Sequence, residues 1–220
     1  MKEIIETLKT ETESSLRALH ALIQFYTFLS DYQSLEKVNE NPYFWKVFES
    51  ALTTKLFVSI RRLFDDGKDT FKFSSVVGSC KKRIHEFKKP ALEIRKMNGD
   101  SCRPVWLDQY LLEAYEANQE DFAKLSKLVW KNSRNMSGKY KEAATLVFVH
   151  AIETDKFAIS NRLSELEFEE IEISLNAIWH FCVQVQQMYD NGIEPSFDIK
   201  PYPYVAEVRN SVIRQLGISS

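Results

Sequence analysis

Four histidines and three cysteines are the residues through which this 220-residue chain could run acid–base, nucleophilic or metal chemistry. A metal centre needs His, Cys or carboxylate ligands clustered at geometric spacing. His20, His85, His150 and His180 stand far apart, and none has another His or Cys one helical turn away. His180 and Cys182 are two positions apart, which on a helix sends them to different faces. The Glu-x-x-His pattern of di-iron bundles is absent, so neither a metal nor another cofactor is expected. Cys80, Cys102 and Cys182 are odd in number and widely spaced, and there is no Gly-x-Ser-x-Gly elbow. Reduced, structural thiols are expected. No Gly-x-Gly and no Gly-Lys-Ser/Thr occurs, which excludes dinucleotide folds and phosphate loops. His150 remains as the candidate catalytic residue. It closes the apolar run Leu146-Val147-Phe148-Val149 and, if a helix continues that far, is expected at the edge of its buried face. The plain reading is a packing histidine bonded to backbone; the chemical reading is a general acid or base titrating near neutrality.

Basic and acidic residues number 29 and 31, so total charge names no partner. Its distribution says more. From Lys124 to Lys141 there are six basic residues and no acidic one. At 100° per residue Lys124, Lys127, Lys131, Arg134 and Lys141 share an arc of about 100°, opposite an apolar stripe. Such a row is either the solvated side of a helix or a surface for phosphates, RNA being one candidate. Between Glu153 and Glu172 lie seven acidic residues and two basic ones. Five of them, Glu165 to Glu172, suit a helix N-terminus, where the backbone dipole favours negative charge. They could instead pair with a basic stripe on a neighbouring helix or a second protomer.

The elements that must carry these residues are helical. Gly and Pro number 6 each, too few for the turns of a sandwich or barrel. Residues 2–33 place Ile5, Leu8, Leu16, Leu19, Ile23 and Tyr26 on one face. Asn41-Pro42 reads as an N-cap with proline in the first turn. The helix after it, Trp45 to Leu63, is apolar over most of its circumference and is expected at the centre. Ser74 or Ser75 is expected to cap a short helix through Val76, Cys80 and Phe87, broken at Lys88-Lys89-Pro90. Pro104 is expected to start another, with Val105, Leu107, Leu111 and Leu112 inside. Residues 119–150 read as one or two helices, with Gly138 as a kink. Ser164-x-x-Glu167 is a capping-box pattern opening a long helix whose seam is Ile171, Leu175, Ile178, Cys182, Val185 and Tyr189. The expectation is an all-α single domain over 1–220, a bundle of four main helices with additional short helices. A basic, mobile insertion is expected around 68–103 and an appended C-terminal helix at 203–217. No uncharged run approaches the ~20 residues of a membrane span. The N-terminus, Met1-Lys2-Glu3, opens no signal peptide, so a cytoplasmic protein is expected.

The order Asn41-Pro-Tyr-Phe-Trp45, Leu56-Phe-Val-Ser-Ile-Arg-Arg-Leu-Phe-Asp65, Ser74-Ser75 and Val149-His150-Ala151, closed by a long helix, resembles the HEPN superfamily. The resemblance is to its AbiU-type branch, linked to abortive phage infection, and covers roughly residues 10–190. It implies a helical bundle, often dimeric, acting in phage defence and in many members a metal-independent ribonuclease. There an Arg holds the scissile phosphate and a His a few residues later acts as acid or base. Only the His carries over, as His150. The positions where that spacing puts the Arg are Ala143, Ala144 and Thr145. Arg134-Asn135 resembles the start of the motif, but Lys139, Tyr140 and Lys141 stand where its His belongs. Lys141 or Arg134 could bring a cation to the site, though an ammonium lacks bidentate guanidinium geometry. Asp65 is part of the resemblance too, and its plain role is to cap the turn at Asp66-Gly67. The resemblance implies a ribonuclease or a descendant without the motif Arg. The alternative is a non-catalytic helical dimerisation or interaction module, with Trp179, Tyr202 and Tyr204 as surface aromatics.

Overall fold

Helix α1 (Lys2–Leu29) packs against more of the fold than any other element, lying on α8 (Phe168–Asn191), α3 (Pro42–Phe64) and α9 (Val205–Gln215). The computed structural model describes residues 1–64, 72–99, 102–140 and 167–215. Between the named helices come α2 (Tyr32–Glu40), α4 (Phe73–Lys82), a 3₁₀ turn at Ile84–Phe87, α5 (Lys89–Met97), α6 (Leu107–Glu113), α7 (Gln119–Asn132) and a π-helical turn at Met136–Tyr140. There is no strand among the described residues, so the fold is all-α as expected. No described helix is long and apolar enough to cross a membrane.

The apolar spacing accounts for the central pair. Leu8, Leu16 and Leu19 of α1 are fully buried, and so are Ile171, Leu175, Ile178, Cys182 and Val185 of the α8 seam. Burying each such side chain stabilises by about 1.5–3 kcal/mol. Helix α8 ends at Gly192, whose φ of 57° is left-handed and whose N–H bonds back to Met188 O. A Cβ there would meet Leu92 and Ala114 at under 3 Å, so turn and packing both select glycine.

Several expectations are corrected. The first helix stops at Leu29 rather than 33, because Asp31 turns extended and accepts from Ser34 N (2.9 Å) and Ser34 Oγ (2.7 Å) to cap α2. Helix α3 begins at Pro42 as read, with Asn41 Oδ1 accepting from Phe44 N, but it is not central. Its first turns leave Tyr43, Phe44 and Val47 exposed; Trp45 packs in a second cluster with Phe25 and Val212, and Leu56, Phe57, Ile60, Leu63 and Phe64 enter the main core. Neither serine caps α4, whose N-cap is Lys72, and Pro90 sits in the first turn of α5. Within the segment 68–103, Phe73, Val76, Cys80 and Phe87 are core side chains. Val105 and Leu112 of the α6 region point to solvent, while Leu107 and Leu111 pack with Leu92. Trp179 and Tyr202 are buried against each other with ring centroids 5.2 Å apart, leaving Tyr204 as the exposed one of the three. Asp65, Ser164 and the last residues of the 203–217 helix lie outside the described residues. Glu167 is extended and is itself the N-cap of α8, so it cannot be the third helical residue of a box opened by Ser164.

Candidate nucleic-acid interface

Helix α7 starts from a capping box that the sequence reading passed over. Asn118 Oδ1 accepts from Glu120 N (2.8 Å) and Asp121 N (3.2 Å). Asp121 Oδ2 in turn accepts from Asn118 N and from Tyr115 Oη, each at 2.8 Å. Phe122, Leu125 and Val129 bury the inner face. That inner face fixes the outer one. Lys124, Lys127 and Lys131 lie opposite it and are exposed. Lys124 pairs with Glu120 one turn earlier (3.1 Å), an exposed pair with little holding power. Lys127 and Lys131 form no ion pair among the described residues.

The row does not continue on one helix. Helix α7 ends at Asn132, where Ser174 Oγ of α8 donates to Asn132 O (2.8 Å). Arg134 is exposed in the turn beyond, two residues after the last helical one. The arc that joined Arg134 and Lys141 to the lysines assumed an unbroken helix, and the chain instead passes into the π-helical turn. Lys141 and His150 lie outside the described residues, so the geometry brings together Lys124, Lys127 and Lys131, with Arg134 following.

That turn is fastened to the acidic start of α8. Tyr140 Oη donates to Glu170 Oε2 (2.6 Å), and accepts from Glu167 N (3.2 Å). Asn135 Nδ2 donates to Glu170 Oε1 (2.8 Å). Burial raises the Tyr140 phenol well above its ordinary value, and the Glu170 carboxylate adds to this, so the hydroxyl stays protonated. Glu169 and Glu170 occupy the first turn of α8, where the helix dipole favours them. The partners of Glu170 include a tyrosine and an asparagine.

Of the other chemically able groups, Cys80, Cys182, His20 and His180 are buried, whereas His85 is exposed. Burial pushes the Cys80 thiol up to about 12, and that of Cys182 further, which removes both as nucleophiles; Cys102 is exposed. No three His, Cys, Asp or Glu side chains converge as metal ligands among the described residues. His180 Nε2 is 2.8 Å from Ser196 O, and His20 Nε2 is 3.8 Å from Glu172 Oε1. Glu11 accepts from Ser59 Oγ (2.6 Å) and Lys55 Nζ (3.2 Å). Burial pushes its carboxyl up, but those bonds and the charges of Lys55 and Arg62 outweigh burial and hold it below the usual range. Neither the His20–Glu172 pair nor the Glu11 cluster was legible in the sequence, because each joins residues from different helices.

A family model described as AbiU2, of the HEPN type, matches residues 1–200. No curated protein and no solved structure matches the chain.

Proposed function

The chain belongs to the AbiU2 family of HEPN proteins, and on that premise we propose that it is a cytoplasmic RNA-binding protein of abortive phage infection. The observation that carries this reading is the outer face of α7, where Lys127 and Lys131 stand exposed with no carboxylate partner among the described residues. A phosphate backbone supplies the negative charge that such a row lacks, and binding releases the counterions condensed on the RNA. Arg134 extends the surface beyond the helix end, and Lys124 reaches it by giving up a weak surface pair.

Catalysis takes second place. Cleavage at a ribose needs a base for the 2′-hydroxyl proton and an acid for the departing 5′-oxygen. His150 can serve as one of these per protomer, and its counterpart in a second protomer as the other. The phosphate-clamping guanidinium of the family motif has no equivalent at Ala143, Ala144 or Thr145. Removing an oriented cation from such a site costs roughly 10²-fold or more in rate. RNA binding with little or no cleavage is the activity we expect. Filter binding of cellular RNA to the full chain tests it: the wild type retains RNA, and Lys127→Glu/Lys131→Glu does not. Retention unaffected by the double reversal removes the row from the account.

The start of α3 favours a second reading, a dimerisation module. Tyr43, Phe44 and Val47 are 84%, 54% and 69% exposed, and Trp45 and Phe48 beside them line a groove of about 460 Å3 against α1 and α9. Exposed apolar surface of this kind marks association sites. Light scattering that reports a 25.7 kDa monomer at micromolar concentration contradicts it.

A further inference from the structure

Trp130 lies on α7 beside the basic row, three residues after Lys127 and one before Lys131. At 100° per residue it is about 60° around the helix from Lys127, between the row and the buried face. Its position explains a divided environment. One part of the indole packs on Phe64, at 6.0 Å between ring centroids and 67° between planes, and on Phe73, at 5.8 Å and 70°. Phe64 and Phe73 are core side chains from α3 and α4. The rest of the indole is open to solvent, and Trp130 is 41% exposed. Two near-perpendicular aromatic contacts from separate helices hold the ring in place, so little further order is lost when something binds it.

We propose that Trp130 is a stacking platform for an unpaired base, which makes single-stranded RNA the ligand of the α7 surface. The proposal rests on the RNA-binding reading above. Lysines alone do not distinguish strands from duplexes, because both present phosphates. A partly open aromatic ring does, because a base inside a duplex has its faces covered by its neighbours, whereas an unpaired base offers a face to a protein ring. The phosphates on either side of a base stacked on Trp130 then fall toward Lys127 and Lys131. Stacking is tolerant of base identity, so the surface binds strands with little sequence preference.

The test uses the full chain, a fluorescein-labelled 12-nucleotide oligo(U) and a 12-base-pair RNA duplex, read by anisotropy. Trp130→Leu is expected to weaken oligo(U) about tenfold, within the range of one lost stack, and to leave duplex binding within about twofold as an internal check on folding. Trp130→Phe, which keeps a ring, is expected to recover most of the loss. In Trp106→Phe the remaining tryptophans Trp45 and Trp179 are buried, so oligo(U) should quench the fluorescence of Trp130. No quenching, or equal weakening of strand and duplex by Trp130→Leu, overturns the proposal and leaves Trp130 as a packing residue. Those outcomes leave the lysines' role standing, whereas a wild-type chain that binds neither RNA removes both readings.

Discussion

Tyr140 Oη lies 2.6 Å from Glu170 Oε2, a contact between residues thirty apart that ties the π-helical turn after α7 to the first turn of α8. With Glu167 N bonded to the same hydroxyl, Tyr140 and Glu167 meet at one corner of the fold, a few residues from Arg134. Tyr140 is fully buried, so its phenol cannot exchange these partners for water. Tyr140→Phe keeps the ring and removes the hydroxyl. We expect a loss of about 1–3 kcal/mol, the cost of leaving a charged acceptor short of its donor, read as a lower urea midpoint with an unchanged slope.

The His20 imidazole is closed to solvent, and neither ring nitrogen has a hydrogen-bond partner among the described residues. Burial holds its proton affinity below the ordinary histidine value of 6.5; Arg209 of α9 acts in the same direction and Glu172 of α8 opposes. His180 is also held down, chiefly by burial. In both cases the unfolded chain takes up a proton before the folded one does. Stability is therefore complete above about pH 6.5 and falls as pH drops below it, by up to about 1.4 kcal/mol per pH unit for each group. His20→Leu is expected to shrink that decline, leaving His180's share, and to leave stability at pH 8 unchanged or slightly raised. Urea titrations at pH 8, 6.5 and 5.5 check both parts. A steeper decline in the variant contradicts this.

Phe73 opens α4, is fully buried, and meets Phe181 of α8 at 4.9 Å between centroids. Phe73 belongs to the main core, so its truncation should be costly. Phe73→Ala is expected to destabilise the whole domain by about 3–5 kcal/mol, seen as one cooperative shift by circular dichroism. Local loss near α4 with an unchanged global transition would instead point to a separable insertion.

Elements whose signal is local were legible in the sequence. Asn41-Pro42 marks the start of α3, and the seam from Ile171 to Tyr189 marks the buried side of α8. The basic face of α7 was legible for the same reason, because its periodicity needs no other helix. What depends on distant partners was not. Helix α7 ends at Asn132, where Ser174 of another helix meets Asn132 O, so the row reads as longer than it is. Apolar content alone put α3 at the centre, but several of its early apolar residues face solvent. Trp130 went unnoticed because its exposure depends on where Phe64 and Phe73 stop covering it.

His150 was found by residue type alone, and its test is chemical. Purified chain incubated with total RNA and EDTA is expected to show little or no cleavage. Any slow cleavage should disappear in His150→Ala and should scale with dimer concentration. Brisk cleavage that survives His150→Ala, with the fold intact, removes His150 from the account.

The central claim is that the outer face of α7 holds RNA phosphates, and the salt dependence of binding measures this most directly. For single strands, log K falls against log salt with a slope of about −0.7 per phosphate neutralised. With Lys124, Lys127, Lys131 and Arg134 engaged, the wild-type chain should give a slope near −3. Lys127→Gln/Lys131→Gln should bring it to about half that, with weaker binding to every sequence alike. A slope unchanged by the substitutions, or binding insensitive to salt, would contradict the account.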